Sequence, residues 1–149
     1  VVKIKCILRG DPSRPTVKRP YVASSIRIPG YTSKPVLFLI DTGSEMSFLS
    51  PTDAESIGII LDDLPSPPPF LQMCGVGGLI PNYQLGFIKE YYTKFVSNNG
   101  LFEVPGENLV VLKQDNGYKL PSVLGVDFLS KYGFTLSLDH GRSVVELGN

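Results

Sequence analysis

The chain has 149 residues, enough for one ordinary domain and short for two. Hydrophobic residues make up 42% and charged residues 19%, which excludes an intrinsically disordered chain. Fourteen basic residues balance fourteen acidic ones, so no net field draws the chain to nucleic acid or to an anionic membrane, and no apolar run approaches the roughly 18 residues that span a bilayer.

Along the chain, apolar Val2, Ile4, Cys6 and Leu8 alternate with Lys3 and Lys5, which predicts a half-buried strand. Gly10 to Pro20 is polar, holds three prolines and predicts a loop. Tyr21 to Ile28 alternates and is β-branched, a second strand turned by Pro29-Gly30. Pro35 to Ile40 is an unbroken apolar run ending at Asp41, the pattern of a strand buried on both faces. Met46 to Leu49 predicts a short strand. Ser50-Pro51 predicts a helix start, with Ser as N-cap and Pro in the first turn, and Gly58 stops that helix.

Asp62 to Pro69 holds four prolines and predicts a stiff loop. Strands over Phe70 to Cys74 and Leu79 to Val96 then bracket Gly75-Val76-Gly77-Gly78, a glycine-rich hairpin tip. Ser97 to Gly100 is a turn, Leu101 to Leu112 a strand and Asp115-Asn116-Gly117 a turn. Val123-Leu124-Gly125 leads into a short helix over Asp127 to Tyr132, with Gly133 beyond its end. A final hairpin joins Phe134–Leu138 to Ser143–Leu147 around Asp139-His140-Gly141. Eight or nine strands and two short helices make the fold class all-β with minor helix, a barrel-like or sandwich arrangement in one domain spanning residues 1–149.

Two cysteines, Cys6 and Cys74, are too few for a disulfide framework and read as reduced thiols of a cytoplasmic compartment. A single histidine, His140, sits in a turn and leaves no Cys/His metal cluster to build, so neither a metal nor a cofactor is expected. The chain opens at Val1 without Met and without a signal-like segment, which suggests processing or excision from a longer chain.

The chemistry centres on Asp41-Thr42-Gly43-Ser44. Burying an unpaired charge is expensive, so a carboxylate at the end of an apolar strand needs donors. Thr42 and Ser44 offer hydroxyls, and Gly43 lets the backbone turn with its N–H close by. By itself the tripeptide also suits a turn whose Asp caps its own backbone.

In its order of motifs the sequence resembles the retropepsin-like aspartic proteases. Phe38 to Ser44 is similar to their catalytic loop with its approach strand. Gly75-Val76-Gly77-Gly78 is similar to the tip of their flap, and Val123 to Leu129 to their hydrophobic-hydrophobic-Gly element and the helix it opens. The resemblance covers about Tyr21 to Leu147. It implies a pair of aspartates that share a proton and activate one water, since two close carboxylates cannot both ionise. No second Asp-Thr-Gly or Asp-Ser-Gly occurs in the chain, so each chain holds half a site and the enzyme is expected to be a homodimer.

Roles implied by the resemblance follow. Asp41 is the acid/base. Thr42 reaches across the dimer axis, Gly43 leaves room for substrate backbone, and Ser44 bonds the outer carboxylate oxygen. Glu45, Met46 and Val123 adjoin substrate, although Glu45 equally suits a plain surface charge and Val123 core packing. Gly75, Val76, Gly77 and Gly78 cover it. Gly125 lets its loop pass the catalytic turn, and Asp127 is structural, a helix cap. The expected reaction is cleavage of peptides between apolar residues, with no nucleic acid or membrane partner. The alternative is a catalytically silent peptide-binding or dimerisation module on the same fold. Leu64–Phe70 and Lys89–Gly106 look like insertions against the compact viral pattern. Viral members also dimerise partly through a sheet of chain termini, and Val1–Leu8 and Val144–Leu147 have the strand character for one.

Overall fold

The computed structural model describes residues 2–11, 14–75, 78–115, 119–142 and 144–149. Val76 and Gly77, most of the expected 115–117 turn and Ser143 therefore lie outside the described residues. The strands are β1 (Lys3–Lys5), β2 (Ile7–Asp11), β3 (Arg14–Arg27), β4 (Lys34–Ile40), β5 (Phe48–Leu49), β6 (Cys74–Gly75), β7 (Gly78–Leu79), β8 (Leu85–Ser97), β9 (Gly100–Leu112), β10 (Ser122–Leu124), β11 (Thr135–Asp139) and β12 (Val144–Gly148). Two short helices, α1 (Pro51–Ile57) and α2 (Val126–Lys131), complete the frame, with 3₁₀ turns at Leu61–Asp63 and Asn82–Gln84.

The main sheet runs β11-β12-β1-β8-β9-β5-β10-β4-β3-β2. β8 also pairs with β3, through Ser25↔Lys94 to Arg27↔Tyr92, so β8, β9, β5, β10, β4 and β3 close on themselves. Closure gives these strands neighbours on both sides, which satisfies their backbone groups and leaves an interior for side chains. Phe38, Phe95, Ile26, Leu49, Leu109 and Leu124 fill that interior, each under 2% exposed. A smaller cluster of Met73, Leu85, Val110 and Leu112 packs nearby, against Met46 and Phe48 among others.

Helix α1 starts as its sequence dictates. Ser50 Oγ accepts the Asp53 N–H at 3.1 Å, a cap worth about 1 kcal/mol. Gly58 ends it with φ 99°, and its N–H reaches the Ala54 and Glu55 carbonyls. Helix α2 covers Val126–Lys131, one residue earlier than the sequence suggests, with Tyr132 at its end and Gly133 at φ 64°.

Three expectations need correction. Gly10–Pro20 is not a loop. Its described residues, Gly10–Asp11 and Arg14–Pro20, form the end of β2 and the start of β3, which pair from Ile7↔Tyr21 to Asp11↔Arg14 with a bulge at Gly10/Asp11. Pro15 and Pro20 are tolerated because that half of β3 has β2 as its one strand neighbour, so a missing N–H costs no second ladder. Phe70 to Met73 is not strand: Leu71 N–H turns back to the Pro68 carbonyl. Leu79 to Val96 is not one strand, because Pro81 and a 3₁₀ turn separate β7 from β8. Lys89–Gly106 forms the outer part of the β8–β9 hairpin, paired through Ser97↔Gly100, where the turn is expected.

Both termini are used within the chain. β1 lies between β12 (Ile4↔Leu147) and β8 (Ile4↔Ser97). Cys6 is buried under this sheet, and burial pushes its thiol up to about 11. No helix of the described residues is long and apolar enough to cross a membrane.

Candidate active site

The position of Asp41 follows from strand order. β4 runs parallel to β10 (Leu39↔Val123, Ile40↔Leu124), and β5 returns antiparallel on the other side of β10 (Phe48↔Val123). The residues joining β4 to β5 must therefore pass over the end of β10. Asp41 to Ser47 is that crossing.

Hydrogen bonds fix it there. Asp41 N–H donates to the Leu124 carbonyl at 3.1 Å, and Ser44 N–H donates to the Asp41 carbonyl at 3.1 Å. Gly43 N–H donates to Asp41 Oδ1 at 2.8 Å, which orients the carboxylate. Val126 N–H reaches the Ser44 carbonyl at 2.8 Å, and Asp127 N–H the Glu45 carbonyl at 3.1 Å. The start of α2 is thus bonded to the outside of the loop.

Gly125 sits where these backbones converge. A Cβ there would stand 2.6 Å from Ser44 O and 2.7 Å from Met46 O. Both are backbone atoms, so only glycine fits.

Asp127 is not the cap of its helix: Gly125 takes that place, and Asp127 stands in the first turn of α2. Its Oδ2 accepts Ser47 N–H at 3.0 Å, and its Oδ1 accepts both the Ser47 hydroxyl at 2.7 Å and Phe128 N–H at 2.8 Å. The Ser47 oxygen in turn accepts Gly125 N–H at 2.9 Å. Asp127 and Ser47 therefore clamp α2 to the end of the loop. Tyr91 is buried beside them, and burial, with the Asp127 charge next to it, pushes its phenol above the ordinary range.

A second polar group anchors the same frame. Ser122 donates to Asp53 Oδ2 at 2.5 Å and accepts Ser50 N–H at 2.9 Å, tying α1 to β10. Sequence reasoning missed Ser47, Ser122 and Asp53 as supports. Hydroxyls spaced this far apart in sequence give no local signal of their meeting.

The remaining expected site residues fall as follows. Thr42, Gly43 and Glu45 are exposed, and Asp41, Ser44 and Met46 are half-buried. Ser44 does not bond the outer oxygen of Asp41: its hydroxyl donates to the Met46 carbonyl at 2.8 Å, the nearer acceptor within its own turn. Val123 is buried in β10, between Leu39 and Phe48. Cys74–Gly75 and Gly78–Leu79 pair as a two-residue ladder, Cys74↔Leu79 and Gly75↔Gly78. A cavity of about 310 Å³ is lined by Gly43, Ser44, Glu45, Met46, Gln72 and Met73, so it lies between the Asp41 loop and the residues leading into β6. Across Met46 a second cavity of about 210 Å³ has Tyr91, Gly106 and Asp127 in its wall. Among the described residues no group of three His, Cys, Asp or Glu side chains could hold a metal.

The sequence profile of the family described as aspartyl protease matches residues 24–128, which contain the Asp41 loop, the 74–79 segment and Gly125. The chain belongs to the aspartyl protease family. Among solved structures, a retropepsin-like aspartic protease from Rickettsia conorii is 15% identical, with 98% of each chain covered and a TM-score of 0.53. The EIAV protease complexed with the inhibitor HBY-793 is 19% identical over 81% of this chain and 94% of that one, with a TM-score of 0.49. No curated protein matches the sequence. This aspartyl protease is retropepsin-like, with an all-β fold and two short helices.

Proposed function

We propose that this chain is one half of a homodimeric aspartic endopeptidase. The observation that carries the reading is the Asp41 carboxylate, half-buried at the end of β4 and held by Gly43 N–H, in a loop whose following residues, Gly43 to Met46, line the 310 Å³ cavity. One such carboxylate per chain is half of an acid/base pair. Two copies related by a two-fold axis bring both Asp41 groups to one water, one carboxyl protonated and the other ionised. The base takes a proton from the water as it attacks the peptide carbonyl, and the protonated partner donates to the carbonyl oxygen. Proton loss from the shared pair ends activity as pH rises.

The exposed Thr42 lies next to Asp41, where the second copy would meet it. Glu45 and Met46 line the cavity that would hold the peptide, and the β6–β7 hairpin with Val76 and Gly77 would cover it. Apolar neighbours such as Met46 and Met73 favour apolar side chains beside the cleaved bond. β1 already has strand neighbours on both sides within the chain, so the contact between copies falls elsewhere than on β1. A cytoplasmic location fits the buried, unpaired Cys6 thiol.

The test is cleavage of a mixed peptide library from about pH 4 to 7, the range over which such a pair loses its shared proton. It is run at a concentration where sedimentation shows a dimer. Cleavage that fades toward neutral pH is expected, with a loss of about 10²–10⁴-fold in Asp41→Asn. A dimer that cleaves nothing at any pH would overturn the endopeptidase reading and leave a peptide-binding module.

A further inference from the structure

Zero net charge hides a segregation along the chain. Residues 1–20 carry six basic side chains (Lys3, Lys5, Arg9, Arg14, Lys18 and Arg19) against Asp11, a formal +5. The rest of the chain carries eight basic and thirteen acidic residues, a formal −5. All six basic residues are exposed, and the ion pairs among the described residues involve none of them.

The fold places four of these cations, Arg9, Arg14, Lys18 and Arg19, on the ribbon made by β2 and the first half of β3. Arg9 stands directly opposite Arg19 in the ladder. Like charges opposed across strands repel each other, a cost that an anion between them would reverse. The ribbon is bent and closely packed: a Cβ on Gly10 would lie 2.6 Å from the Pro15 carbonyl oxygen. Its location matters most. The β3–β4 ladder ends at Tyr21↔Leu39, two residues short of Asp41, and β3 runs on through Arg14–Pro20 beyond that end of β4. The cations are thus carried past the same end of the sheet that presents Asp41.

Charged residues on an edge strand also guard against aggregation. That purpose is served by either sign, whereas here four cations stand against one acidic residue, Asp11 opposite Arg14, a balance opposite to that of the rest of the chain. We propose that the β2–β3 ribbon binds an acidic segment of the peptide substrate flanking the cleaved bond, an inference that rests on the endopeptidase reading above. Arginine forks suit carboxylates, and an extended acidic chain beside a basic ribbon gains both contact and electrostatic steering. The ribbon's place at the Asp41 end of the sheet favours a peptide over a nucleic acid.

The test is fluorescence anisotropy with two peptides that share one apolar centre, one flanked by four Asp/Glu residues and the other by Ser/Gln. It compares the parent chain, Arg9→Glu/Arg14→Glu/Lys18→Glu, and a control, Lys34→Glu/Lys89→Glu/Lys119→Glu, with the same change in net charge away from the ribbon. Melting curves check that each variant folds. The parent should bind the acidic peptide about tenfold more tightly, as expected for a few exposed ion pairs, and raising salt to about 0.5 M should erase the difference. The ribbon variant should lose the preference and the control keep it. Equal binding of the two peptides by the parent overturns the proposal. So does a loss shared by the control, or a ribbon variant that loses both peptides alike. A ribbon that holds a duplex oligonucleotide while ignoring the acidic flank overturns it in favour of nucleic acid. Binding is read without cleavage, so an intact acidic preference in a dimer that cleaves nothing sinks the endopeptidase reading alone.

Discussion

Two segments, the Asp41 loop that lines the 310 Å³ cavity and the hairpin that follows Gln72 and Met73 of its wall, are held in opposite ways. Six hydrogen bonds cross from the Asp41–Ser47 loop to Leu124–Asp127, and Gly125 lets the two backbones touch. The β6–β7 hairpin has a ladder of two residue pairs, with Ile80 N–H on the Met73 carbonyl at 2.8 Å below it. Leu79 on the hairpin is 62% exposed, whereas Ser47 at the end of the loop is 1% exposed. Preorganised donors stabilise a reacting charge only if they stay fixed, while a cover must open to admit a peptide. The two segments therefore sit at opposite ends of local stability, and each end can be tested.

The largest effect on the fold is expected at Gly125. In Gly125→Ala the methyl meets two backbone carbonyl oxygens, of Ser44, which holds Val126 N–H, and of Met46, which holds the Ser44 hydroxyl, so neither moves without straining a hydrogen bond. Overpacking costs typically about 1–3 kcal/mol and more where, as here, only backbone can yield. Chemical denaturation should show that loss, together with loss of cleavage. A variant of full stability would mean that the loop yields easily and the contrast with the hairpin is false.

Asp127→Asn comes next. The amide retains one acceptor and turns a donor toward either Ser47 N–H or the Ser47 hydroxyl. Losing charge-assisted bonds at a partly buried site costs about 1.5–3 kcal/mol. Because Ser47 and Asp127 act as one unit, Ser47→Ala combined with Asp127→Asn should cost clearly less than the two changes added together. Simple additivity in the denaturation midpoints would show that no clamp exists.

How much of this was legible in the sequence depended on distance along the chain. The apolar run into Asp41 and the Ser50-Pro51…Gly58 signature of α1 are local, and the structure has both. Gly10 to Pro20 predicts a loop because its prolines argue against strand. They argue only against a strand paired on both sides, and edge position is a tertiary fact. The pairing of β1 with β12 and the meeting of Ser47 with Asp127 join residues roughly 80 to 145 apart in sequence, and no window of the sequence reports such contacts. Ser44 shows the reverse. Its hydroxyl was assigned to Asp41 by resemblance, and a carbonyl two residues away in its own turn took the bond.

The smallest effect on stability is expected at Leu79, and it tests the other side of the comparison. Leu79 is paired with Cys74 in the two-pair ladder but exposes most of its side chain. Leu79→Ser removes little packing, so the melting temperature should reflect a change within about 0.5 kcal/mol. If the hairpin closes over a bound peptide, the same leucine gains apolar contact in the complex. Losing part of that contact is worth about 1 kcal/mol, or roughly fivefold in kcat/KM. A side chain that matters to cleavage and hardly at all to folding is the signature of a cover, whereas one in the Asp41 loop should move both together. An unchanged kcat/KM would separate the hairpin from the substrate. A clear fall in melting temperature would instead place Leu79 in packed structure and make the hairpin as fixed as the loop.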